Sequence, residues 1–190
     1  LDEALQRKRG VVLWVSQHAH GDLAPKKALA SAGYRLCHLS TPSHPYSPTR
    51  FGGWFLNPVR LRAVNRYLAL RVLVVYGQSR PAIEALRQVL RDNGIVSIVA
   101  TGTGRRLLEA PFLGGTIDLA GGAPALAHDA DAALIPLFTL PDGHGGYRIV
   151  LGPDLNTHAE PDKDRAVRAM TERYVRLLEP VVRADPASWQ

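Results

Sequence analysis

Val11-Val12-Leu13-Trp14-Val15 runs without a polar break into Ser16-Gln17-His18-Ala19-His20-Gly21-Asp22-Leu23. A continuous apolar run this short, with no alternation, is what a strand covered on both faces requires, and such strands belong to parallel sheets with helices on either side. Open sheets of that kind bind ligands just outside the carboxyl ends of their strands. This strand would deliver two imidazoles and a carboxylate to that place.

The remainder of the chain alternates helical and strand patterns, the mark of an α/β fold. Strands are expected over 11–16, 34–39, 71–76, 95–100, 133–140 and 147–151. Helices are expected over 2–9, 23–32, 58–70, 81–92, 121–129 and 162–182, with Pro81 opening one and Gly33 and Gly94 following others. The last two strands flank Asp142-Gly143-His144-Gly145-Gly146 and read as a hairpin, so the sheet is expected to be mixed but largely parallel. Residues 40–57 are expected to form a long loop with Pro42, Pro45 and Pro48, and loops of that length are usually functional or mobile.

A chain of 190 residues with 46% hydrophobic content suits one domain, residues 1–190, with a substantial core. The single Cys37 excludes a disulfide scaffold and reads as a small buried hydrophobe. The net charge of +6 favours anionic partners: phosphates, an acidic carrier protein, a lipid surface or nucleic acid. No apolar stretch approaches the ~20 residues that span a bilayer, so membrane association within this chain is expected to be peripheral. The chain opens at Leu1 and enters helix-like sequence at once, which is compatible with an N-terminal anchor segment upstream of it.

Three readings fit the histidines. His18, His20 and Asp22 have the donor types of a metal-dependent hydrolase site, but the remaining histidines lie beside no convincing further ligand. Alternatively, both histidines merely end a strand and Asp22 is the N-cap of the next helix. In the third reading His18 is a general base whose tautomer is fixed by Asp22, able to take a proton from an alcohol that attacks a thioester.

Several segments occur together in order: Gly10-Val11-Val12-Leu13 with Ser16-Gln17-His18, Phe112-Leu113-Gly114-Gly115, the small-residue run from Ala120 to Ala127, Ile135-Pro136-Leu137-Phe138, Tyr147-Arg148, and Pro186-Ala187-Ser188-Trp189. In this the sequence resembles the lysophospholipid acyltransferase superfamily, most closely its branch of bacterial lipid A biosynthesis (lauroyl/myristoyl) acyltransferases and related glycolipid acyltransferases. The family places its acid five positions after the histidine. Here Asp22 stands four after His18, and Ala100-Thr101-Gly102-Thr103-Gly104 carries none of the acids that family members often have there.

The resemblance implies a glycerol-phosphate acyltransferase-like fold and transfer of a fatty acyl group from acyl-CoA or acyl carrier protein to a hydroxyl of a glycolipid or lysophospholipid. It implies His18 as base, Asp22 as its orienter, no metal and no cofactor, no nucleic acid, and a peripheral place on the cytoplasmic face of the bacterial inner membrane. A non-catalytic lipid- or carrier-binding member of the same fold is the alternative within it. Arg50, Arg105 and Arg106 are the candidate phosphate contacts, with Arg60, Arg62 and Arg66 flanking the long loop. Glu109 is a candidate second acid and His20 a candidate substrate contact. Phe51, Trp54 and Phe55 read equally as an acyl-chain site, a membrane-interface patch or core.

Overall fold

Val11–Val15 forms strand β1, and all five of its residues are buried. Gly10 feeds it from a left-handed backbone (φ +71°), where a Cβ would lie 2.7 Å from the carbonyl oxygen of Leu90. Only glycine meets both demands. The computed structural model describes residues 1–18, 21–41, 49–74 and 79–189.

The order is α1 (Asp2–Gln6), β1, α2 (Leu23–Ser31), β2 (Leu36–Ser40), a π-helical turn (Gly52–Leu56) running into α3 (Asn57–Asn65), β3 (Leu70–Leu73), α4 (Ser79–Arg91) and β4 (Ile95–Val99). Then follow β5 (Leu107–Phe112), β6 (Gly115–Ala120), α5 (Gly122–Asp129), β7 (Ala133–Pro141), β8 (Tyr147–Leu151), α6 (Lys163–Ala184) and a final turn, Pro186–Ser188. Six strands make one sheet in the order β3-β2-β4-β1-β7-β8. All its pairs are parallel except β7 with β8. The fold is therefore the mixed, largely parallel α/β sheet that the sequence leads one to expect.

One face of the sheet, with Val11, Leu13, Val15, Leu36, Ile95 and Ile135, is covered by α1 and α2. The other face, with Val12, Trp14, Val96 and Leu134, packs against α4, α5 and α6. There the Trp14 and Tyr174 rings stand 4.1 Å apart.

The structure departs most from the sequence reading at α3, at β3 and at one further strand pair. The helix expected over 58–70 is the shorter α3, because Leu70 has already joined β2 as a strand. The strand expected over 71–76 ends at Leu73, and residues 75–78 lie outside the described ones, as do 42–48 of the long loop. The antiparallel pair β5–β6, which packs against α6, was not foreseen at all.

Leu13 is fully buried in the α1/α2 face. Leu13→Ala should destabilise the protein by about 2–5 kcal/mol, measured by urea unfolding; a loss well under that range would mean that this layer is not close-packed.

Candidate active site

β1 lies between β4 and β7, so later strands were added on both its sides and its carboxyl end opens at a switch in strand order. His18 stands just beyond that end. A tight turn holds it, with the Gly21 N–H donating to the His18 carbonyl at 2.8 Å. A Cβ on Gly21 would sit 3.1 Å from the carbonyl oxygens of both Ser16 and His18. The glycine thus allows the chain to double back into α2.

The His18 ring is buried. Its Nδ1 is 2.8 Å from the Ser16 hydroxyl, while its Nε2 is buried without a hydrogen-bond partner. Trp189 crosses it edge to face at 5.4 Å and pairs with it in an isolated antiparallel bridge. Burial pushes the imidazole pKa below its ordinary value, and the Asp185 carboxylate opposes this in part. Protonation is disfavoured by desolvation, so the ring is kept neutral.

Neither ring nitrogen of His18 bonds Asp22, although the sequence reading made Asp22 its orienter. Asp22 occupies the N-cap position of α2 without a capping bond, and its carboxylate accepts instead from Lys26, one turn further on. The physical reason is the buried Lys26 ammonium, which needs a counter-charge more than the backbone amides do.

His18, Asp22 and Lys26 line one cavity of about 190 Å³ between α2, α3 and the carboxyl half of the sheet. Its floor follows from the register. Ser97 pairs with His38 and His38 with Arg71, while two residues nearer the strand ends Val15 pairs with Leu137 and Val99. The floor is thus apolar at β7 and β1, through Leu137 and Val15, and polar from β4 to β3, through Ser97, His38 and Arg71. His38 Nδ1 lies 2.8 Å from the Ser97 hydroxyl, and Arg71 Nη2 donates to the Ser40 hydroxyl at 2.7 Å. Arg60 and Val64 of α3 complete the wall.

The other candidates from the sequence fall elsewhere. Arg50, Arg105, Arg106 and Glu109 are exposed and outside this lining. Arg106 is paired with Asp164 at 2.7 Å, and Glu109 faces Asp118 across the β5–β6 pair. His20 lies outside the described residues. Burial raises the Cys37 thiol to about 11, which keeps it protonated. His158 lies between Asp131 and Asp154, near the amino ends of the strands, where Arg9 and Arg7 also pair with those carboxylates. Among the described residues no group of three or more His, Cys, Asp or Glu is arranged to hold a metal.

Ser16, Lys26, His38, Arg71, Ser97 and Trp189 had not been singled out for the site. Ser16 was readable, since residues two apart on a strand share a face. The others come from separate elements and depend on register.

No family model matches the chain. It is similar to the phosphatidylinositol mannoside acyltransferase of Mycobacterium tuberculosis, with 29% identity over 127 residues, 64% of this chain and 37% of that protein. The match therefore spans little more than a third of the curated relative's length.

Proposed function

We propose that this chain is an acyltransferase domain that moves a fatty acyl group from a thioester, acyl-CoA or acyl carrier protein, to a hydroxyl of a glycolipid or lysophospholipid. The observation that carries the reading is the buried His18, which lines the cavity and whose Nε2 has no hydrogen-bond partner. The similarity to a lipid acyltransferase supports it.

In this reaction the acceptor hydroxyl attacks the thioester carbonyl while His18 Nε2 takes its proton; the new C–O bond forms, the C–S bond breaks, and the proton passes from the imidazolium to the leaving thiolate. Ser16 accepts from Nδ1–H and so holds the ring with Nε2 as the acceptor. Asp185 stabilises the imidazolium by charge, and Asp22 acts in the same cavity as the partner of Lys26.

Acceptor and donor would meet at a lipid surface. No helix among the described residues is long and apolar enough to cross a membrane. Phe51, Trp54, Phe55, Leu56 and Val59 are nonetheless exposed, Trp54 to 80%. Core packing is thus excluded for Trp54. The Phe51 and Phe55 rings stack at 5.4 Å. Aromatic rings beside arginines suit the headgroup region of an anionic bilayer, and we assign this face to peripheral contact with the cytoplasmic side of a bacterial inner membrane.

Three outcomes are expected. His18→Ala should retain its fold and lose about 10²–10⁴ in acyl transfer, followed with a thioester donor and a lipid hydroxyl acceptor. Wild-type turnover in that variant would remove His18 as the base, and no turnover in the wild type would favour the non-catalytic reading. Because the protonated ring cannot act as base, kcat/KM should rise with pH to a plateau, with the midpoint of the rise below the ordinary imidazole value of about 6.5; Asp185→Asn should move that midpoint further down, and a midpoint above 6.5 would contradict the site. Lastly, Trp54→Ala with Phe55→Ala should weaken sedimentation with vesicles of phosphatidylglycerol and phosphatidylcholine. Undiminished binding would place the membrane face elsewhere.

A further inference from the structure

Between Leu23 and Ile83 the sequence holds nine Lys and Arg and no Asp or Glu. That stretch supplies α2, β2, α3 and β3, the elements that wall the polar side of the cavity. Its consequence is visible inside. Lys26, Arg60 and Arg71 line the cavity against one carboxylate, Asp22.

Lys26 is 4% exposed, and its ammonium bonds Asp22. Burial lowers its pKa first; Asp22 opposes that, while Arg71 and Arg60 lower it further. Lys26 is therefore close enough to Arg71 and to Arg60 to be repelled by each of them. Arg71 spends Nη2 on Ser40, yet its Nε is buried with no partner. Beside it on the floor lie His38 and Ser97. Cations gathered in a partly dry space are costly unless an anion joins them, and a guanidinium with unused N–H groups is a fitting partner for a phosphate.

We propose that this half of the cavity binds a phosphate group, held by Arg71, Lys26 and Arg60, within the same cavity that His18 lines. The size agrees. About 190 Å³ admits a phosphate and its neighbouring atoms but falls short of the ~300–1,000 Å³ of pockets that enclose a whole drug-sized ligand. The charges agree as well: three cations and one carboxylate leave an excess of two positive charges, close to the charge of about −1.5 to −2 on a phosphate monoester at neutral pH. Binding stands apart from acyl transfer; the role of the phosphate as a handle on the donor's carrier or on the acceptor's headgroup rests on the acyltransferase reading.

The test is calorimetric titration of the full chain with inorganic phosphate, glycerol 3-phosphate as a headgroup fragment, and coenzyme A. One phosphate should bind per chain, more weakly as salt rises. Arg71→Gln should weaken it at least about tenfold, the loss of a charge-assisted hydrogen bond, while Arg176→Gln, exposed on α6 at the other face of the sheet, leaves it unchanged. Whichever organic probe displaces phosphate at the lower concentration identifies the source as donor or acceptor. No saturable binding of any of the three up to about 10 mM, or binding undiminished in Arg71→Gln with a native melting curve, overturns the inference. Because no turnover is needed, a phosphate-binding but inactive protein would sink acyl transfer and leave this site standing.

Discussion

The architecture depends on β1 having neither a free edge nor a free face. Its backbone is committed to β4 on one side and β7 on the other, and its side chains are buried in both helical layers. Five buried apolar residues held this way fix where the chain emerges, to within the freedom of the short turn that Gly21 closes. The chemistry inherits that fixity. His18 is not carried on a long loop but stands three residues beyond a strand that cannot shift without opening the core.

The same burial sets the character of the imidazole. Desolvation favours the neutral ring, Ser16 engages one nitrogen, and the other has no protein partner. A buried polar atom left unpaired is costly, so its persistence on a residue that lines the cavity marks a place where a substrate group can offset that cost. The cavity floor divides the work further. Val15 and Leu137 lie at one end of it and Ser97, His38 and Arg71 at the other, a match for a substrate with both an apolar chain and a charged head.

How much of this was legible follows from particular residues. β1 was readable because Val, Leu and Trp without alternation admit few other folds, and the β7–β8 hairpin because Asp142 to Gly146 is turn sequence on its face. The β5–β6 hairpin was not, since its turn is Leu113-Gly114, both at positive φ (50° and 84°). A leucine there gives none of the Asn-Gly or Asp-Gly signal that usually marks such turns. The position of His18 was likewise readable from its place after the strand. Its partner was not: Asp22 lies at the right distance along the chain, but the buried Lys26 competes for it, and burial of a lysine is invisible before the fold is known. Arg71 and His38 meet only through strand register, which periodicity alone does not supply.

The central claim is that His18 offers an unprotonated Nε2 to the cavity. Long-range proton–nitrogen NMR correlation on protein labelled in its histidines reads this directly at neutral pH. The account predicts a neutral ring with its proton on Nδ1, toward Ser16, and the lone pair on Nε2. A ring protonated on Nε2, or a charged imidazolium, would contradict it, because neither could take a proton from a substrate held in that cavity.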